Sequence, residues 1–96
     1  MGRNFKFNYA FVFYDVNEKR VNRVFKVCKK YLSHFQKSVF RGEITPSNLI
    51  LLKKDLNKVI DQSEDFICII KLINNNVYGE EILGVNQNDT GEDLII

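Results

Sequence analysis

Ninety-six residues, 45% of them hydrophobic, are enough for one compact domain, and a chain of this size gains from oligomerising. No apolar run approaches the roughly 20 residues that cross a bilayer, and residues 1–8 carry charges without a signal-peptide cleavage pattern, so a cytoplasmic chain with no membrane contact is expected. The net charge is only +2, but residues 1–60 hold 13 Lys/Arg against 4 Asp/Glu, whereas residues 61–96 hold 1 against 8. A basic body followed by an acidic stretch points to a phosphate-bearing partner for the body, and leaves the acidic part to meet a basic protein or the body itself. Solvated helix faces would give the same counts. Cys28 and Cys68 lie far apart with no CxxC and no histidine spacing, which excludes a zinc site or disulfide framework and leaves both as small buried apolar side chains.

The first element is the run Tyr9-Ala10-Phe11-Val12-Phe13-Tyr14-Asp15. As a strand it sends Tyr9, Phe11, Phe13 and Asp15 one way and Ala10, Val12 and Tyr14 the other, so both faces are apolar and both need cover. Asp15 closes the strand at its carboxyl end, where open sheets tend to hold ligands. Asn17 then supplies a cap and Glu18 a first-turn anion. Val21, Val24, Phe25, Cys28 and Leu32 recur with helical spacing and predict a helix over residues 18–32. Its other faces carry Lys19, Arg20, Arg23, Lys26, Lys29 and Lys30, with no acid after Glu18.

Residues 33–44 mix strand formers with polar residues and have no helical period, so they read as strands over 34–37 and 38–44, joined through a bulge or sharp bend. Thr45-Pro46 opens a second helix, with Thr as cap and Pro at the first position. Leu49, Leu52, Leu56, Val59 and Ile60 form its buried stripe, Lys53, Lys54, Asp55 and Lys58 face out, and it ends near Asp61. A charged turn over 61–65 leads to a second strand that is apolar on both sides, 66–73, broken only by Lys71. Asn74-Asn75-Asn76 is a turn, 77–83 a short last strand, and 85–96 a polar, acidic tail ending in Leu94-Ile95-Ile96. The order predicts an α+β, ferredoxin-like βαββαβ domain over residues 1–84 with an extra C-terminal strand, then a flexible acidic tail. Both helices cover one sheet face, so the apolar opposite face is expected to pair with a second copy, sheet face to sheet face. Asp15 borders that face, and two such carboxylates near the dimer axis suit a hard cation such as Mg²⁺, which takes oxygen ligands and activates water against a phosphodiester.

Several residues carry a resemblance: Tyr14-Asp15 closing the first strand, Lys19-Arg20 opening a basic helix, Gln36-Lys37-Ser38-Val39-Phe40 followed by Arg41-Gly42-Glu43-Ile44, and Glu64-Asp65-Phe66 before the last long strand. Over roughly residues 9–84 the chain resembles the CRISPR-associated protein 2 family. The resemblance implies a ferredoxin-like homodimer in which the last strand of each chain joins the partner's sheet. It also implies a role in spacer acquisition, as an architectural adaptor that braces duplex DNA and bridges dimers of the CRISPR-associated protein 1 integrase. Some members are described as metal-dependent endonucleases on RNA or DNA, with Asp15 as the Mg²⁺ (or other divalent) ligand and catalytic position. Tyr14, Arg20, Arg23 and Phe40 match positions linked to nuclease activity or site shape, Tyr14 as a second catalytic candidate. The nucleic-acid set is then Lys19, Arg20, Arg23, Lys26, Lys29, Lys30, Lys37 and Arg41. The sequence departs from the family at His34, where arginine is common.

The same residues have ordinary readings. Asp15 also reads as a helix cap or a lysine's partner, Tyr14 and Phe40 as core, His34 as an exposed loop side chain, and Ser38 as a bulge hydroxyl. One carboxylate per chain with no nearby histidine or second acid is a thin catalytic set, because hydrolysis needs a positioned base and leaving-group help. Two function classes follow: a DNA-binding adaptor, and a Mg²⁺-dependent phosphodiesterase acting on single-stranded RNA or duplex DNA.

Overall fold

The computed structural model describes residues 6–73 together with residues 81 and 83. The chain runs β1 (Tyr9–Asp15), α1 (Val21–Tyr31), β2 (Ser33–Gln36), β3 (Val39–Glu43), α2 (Pro46–Asn57) and β4 (Phe66–Leu72). The strands form one sheet in the order β2-β3-β1-β4 with every neighbouring pair antiparallel. Each helix therefore connects two parallel strands with a third between them, and the right-handed preference of such crossovers puts both helices on one face. This is the expected ferredoxin-like α+β fold. The expected last strand and the tail from residue 85 fall on residues outside this description, apart from the isolated positions 81 and 83.

The core lies between the sheet and the two helices. Ala10, Val12 and Tyr14 of β1 and Phe40 of β3 meet Val24 and Cys28 of α1, Leu32 beyond it, and Leu49, Leu52 and Leu56 of α2. Phe40 is fully buried, with its ring centroid 5.1 Å from that of Phe25, 5.0 Å from His34 and 6.3 Å from Tyr14. His34 is thus half-buried among aromatics rather than an exposed loop side chain, and its Nε2 lies 2.9 Å from the Lys37 carbonyl oxygen. On the other sheet face the alternation brings Phe11, Phe13 and Asp15 beside Ile70, Cys68 and Phe66 in register. Phe13, Phe66 and Ile70 are 36%, 56% and 45% exposed, so this face is apolar and open among the described residues. Cys28 is buried as expected, whereas Cys68 is only half-buried because it belongs to that open face.

Three boundaries differ from expectation for local reasons. Asn17 Oδ1 accepts from Lys19 N at 2.8 Å and Asn17 O from Arg20 N, so Asn17 caps a turn and α1 starts three residues late, with Arg20 as its cap. Thr45 Oγ1 accepts from Asn48 N at 3.1 Å, and Pro46 takes the first helical position as expected, but α2 stops at Asn57. Val59 and Ile60 pack as half-buried turn residues beyond it. The bend between β2 and β3 is the two-residue turn Lys37-Ser38, with Lys37 at φ 43° and a register shift between His34 and Gln36. Gly42 holds φ 153°, which other residues rarely adopt, and a Cβ there would sit 3.5 Å from Leu32 Cδ2.

A charged clasp ties the end of β1 to the start of β4. Arg20 Nε donates to Asp65 Oδ2 at 2.6 Å and its terminal nitrogen to Asp65 Oδ1 at 3.1 Å, and the guanidinium also pairs with Glu64. Asp65 accepts two more bonds, from Asn17 N at 2.9 Å and Asp61 N at 2.8 Å, and its side chain is fully shielded from solvent. The Arg20 guanidinium, followed by these backbone donors, holds the Asp65 carboxyl well below the usual carboxylate range against the opposing effect of burial. A carboxylate with a lowered folded-state pKa stabilises the fold fully above its unfolded value of about 3.9, and that contribution fades as pH falls through and below it. The urea midpoint is therefore expected to drop on acidification below about pH 4, and Asp65→Asn to lower the midpoint at neutral pH while flattening the acid limb. Phe40→Ala should cost about 3–5 kcal/mol in urea unfolding, since an aromatic side chain is removed from a fully packed site.

Candidate functional site

The carboxyl end of β1 is where the expected metal position, Asp15, sits. Asp15 ends the strand, is exposed and lies opposite Phe66, and its carboxylate makes no hydrogen bond or ion pair among the described residues. Tyr14 N donates to Ser38 O at 3.1 Å, which draws the Lys37-Ser38 turn alongside. The clasp flanks the same end, because Asn17 and Arg20 follow Asp15 in sequence and Asp65 precedes its partner Phe66. Asp15 is thus a carboxylate without a side-chain partner among the described residues, on a braced backbone next to the Lys37-Ser38 turn.

Tyr14 does not join it. Strand alternation turns Tyr14 to the helix side, where it stacks on Phe40, and burial, reinforced by Cys28, pushes its phenol up to about 12. A phenol so placed stays protonated near neutral pH and serves as packing rather than as a base. Phe40 lies beneath the sheet and supports the strand end from below. Among the described residues no group of three His, Cys, Asp or Glu is close enough to hold a metal ion within one chain. Asp15 supplies a single oxygen donor group. That fits Mg²⁺, which binds through one or two carboxylates and keeps several waters, provided a second copy or the nucleic acid completes the shell.

The cationic residues divide into three groups. Arg23, Lys26 and Lys30 lie at helical offsets of three and four, so they form one exposed stripe on α1 opposite buried Cys28. Lys29 flanks this stripe with Nζ 6.0 Å from the Phe25 ring, and Lys30 also reaches Asp55 Oδ2 at 3.4 Å. Lys19 is exposed just before the helix and Lys37 on its turn. Arg20, by contrast, is spent on Glu64 and Asp65, and its side chain is only 14% exposed. Arg41 sits on the other side of the sheet, in register with Phe11, with its guanidinium 4.1 Å above the Phe35 ring. The expected eight-residue set is therefore one helical surface with Lys19 at its edge, plus three residues placed elsewhere: Lys37 on its turn, Arg20 in the clasp and Arg41 on the other sheet face.

Two features go beyond the sequence reading. Lys53, Lys54 and Lys58 are exposed as expected and extend the cationic surface onto α2, but Asp55, expected to face out, is turned toward Tyr31, whose hydroxyl donates to it at 2.7 Å. The clasp partners Arg20 and Asp65 are separated by 45 residues in sequence, and no local pattern joins them. No helix among the described residues is long and apolar enough to cross a membrane.

Known proteins share this sequence pattern and fold. The family model described as CRISPR associated protein Cas2 matches residues 8–79. The "CRISPR-associated endoribonuclease Cas2 3" of Thermodesulfovibrio yellowstonii is 43% identical over 86 residues, covering 90% of this chain and 98% of that protein. The "CRISPR-associated endoribonuclease Cas2" of Thermotoga maritima is 37% identical over 83 residues, covering 86% and 95%. Among solved structures, a crystal structure of Cas2 superposes with a TM-score of 0.78 at 34% identity, covering 93% of this chain and 98% of that one. Streptococcus pyogenes Cas2 gives 0.64 at 34% identity, covering 71% and 88%. With the fold, the strand-end aspartate and the Gln36 to Ile44 motif all in place, the chain belongs to the CRISPR-associated protein Cas2 family.

Proposed function

We propose that this Cas2 chain acts in CRISPR spacer acquisition as a dimeric adaptor that holds duplex DNA and bridges dimers of the CRISPR-associated protein 1 integrase. The observation that carries this is the one-sided division of the molecule. Exposed cations crowd the outer face of the helices, with no acid within α1, while the opposite sheet face is apolar. An apolar face containing Phe13, Phe66 and Ile70 suits a second copy, since two-fold pairing covers both faces at once. The helices then remain outward for a polyanion. Neutralising phosphates with Arg23, Lys26 and Lys30 releases counterions, which makes the affinity depend on salt in proportion to the contacts made. Arg20 is excluded from this count because the clasp holds it.

A second reading is favoured by the position of Asp15 and by the relatives named endoribonucleases. Here Asp15, with its counterpart from a second copy, would hold Mg²⁺ or another divalent cation for cleavage of a phosphodiester in single-stranded RNA or duplex DNA. Bound Mg²⁺ supplies charge stabilisation and a more acidic water. The chain's own strand pairing would hold Asp15 at the strand end, and Lys37, on the turn whose Ser38 carbonyl accepts from Tyr14 N, would meet a phosphate oxygen. Tyr14 contributes packing.

Replacing Arg23, Lys26 and Lys30 together by Gln should weaken duplex binding and reduce the slope of log affinity against log salt by about 2–3. An unchanged slope would mean that the stripe is merely solvated. Asp15→Ala is expected to abolish any Mg²⁺-dependent cleavage while leaving spacer integration with the integrase intact, and loss of integration would instead give the metal position a part in acquisition.

A further inference from the structure

Lys37 is held in a conformation that its side chain disfavours. At φ 43° it occupies the left-handed region that glycine or asparagine ordinarily fills, and it is the one residue other than glycine to do so among the described residues. Such a backbone persists where its surroundings over-determine it. The strand ladder alone does not, because the pairing of β2 with β3 shifts register between His34 and Gln36, just before the turn. The turn nevertheless meets β1 in a defined way: Ser38 O accepts from Tyr14 N at 3.1 Å, one residue before Asp15.

His34 supplies the missing constraint. Its Nε2 lies 2.9 Å from Lys37 O. A carbonyl oxygen only accepts, so this bond requires the proton on Nε2. The ring has little freedom of its own, since it packs edge-on against Phe25 with 4.8 Å between centroids and lies 5.0 Å from Phe40, which is fully buried. Core packing therefore fixes the imidazole, the imidazole fixes the Lys37 carbonyl, and the turn passes that constraint through Ser38 to the end of β1. The Lys37 residue that the turn carries is exposed.

We propose that His34 is a positioning residue, which holds the Lys37-Ser38 turn against the end of β1 and so places the Lys37 cation for a nucleic-acid phosphate. The phosphate contact rests on the nuclease reading above, whereas the holding of the turn does not. Nitrogen NMR of the imidazole in the unaltered chain, together with amide exchange, tests the holding. Nε2 of His34 should carry the proton near neutral pH. In H34F, which keeps an aromatic ring but has no donor, the Tyr14 amide should exchange about threefold to tenfold faster, while that of buried Leu52 in α2 stays unchanged. In a K37G chain, where glycine takes the turn conformation unaided, H34F should alter Tyr14 exchange little. A bare Nε2, or unchanged Tyr14 exchange in H34F, would overturn the proposal. Equal acceleration by H34F in the K37G chain would overturn it too, since His34 would then act through packing alone. For the phosphate, K37Q should lower the slope of log affinity for a short duplex against log salt by about 1, and H34F should weaken binding in wild type but not in K37Q. An unchanged slope in K37Q beside the expected Tyr14 exchange would refute the phosphate contact while upholding the holding of the turn. A loss on H34F that persists in K37Q would refute action through Lys37.

Discussion

A four-stranded sheet with both helices on one side leaves its other side to be solved by something else, and in this chain that side is apolar. The constraint originates in β1, where Tyr9, Phe11 and Phe13 alternate with Ala10, Val12 and Tyr14, so no choice of face would expose only polar residues. Sheets are normally stabilised by covering such faces, and a contiguous apolar surface on a soluble chain marks an interaction site. Everything proposed for function follows from which surface is covered and which stays free: the helices keep their cations outward, and Asp15 stands at the rim between the two surfaces.

The clasp at the end of β1 converts that topology into a defined site. Arg20 joins the residues after β1 to those before β4 through a shielded carboxylate that also takes two backbone donors. A fully bonded buried ion pair of this kind specifies geometry more than it adds net stability. Its consequence is positional, since it braces the end where Asp15 and Phe66 lie opposite each other, next to the Lys37-Ser38 turn that Tyr14 N holds through the Ser38 carbonyl. It also removes from the exposed cationic surface the arginine that sequence alone would have placed there.

Much of the fold was legible because its signals are local. The doubly apolar runs marked β1 and β4, Thr45-Pro46 marked the start of α2, and the short join between β2 and β3 demanded the bend that Lys37 adopts. Asn17 misled for an equally local reason, because an asparagine that caps a turn looks the same in sequence as one that caps a helix. The site was less legible. Which lysines and arginines share a surface depends on strand pairing and long-range partners: Arg41 lands on the sheet face with Phe11 and Phe35, and Arg20 finds carboxylates 44 and 45 residues away. Ile50 and Leu51 extended an apolar run without revealing that the packing of α2 would leave them outside.

The relatives' names speak for a nuclease and the surface chemistry for an adaptor, and the two are compatible if pairing of the open faces both builds a site at Asp15 and turns the cations outward. The mass of the full chain in solution at micromolar concentration, by sedimentation or light scattering, tests this most directly. Pairing through the face formed by Phe13, Phe66 and Ile70 predicts twice the mass of one chain. A stable single-chain mass would contradict it.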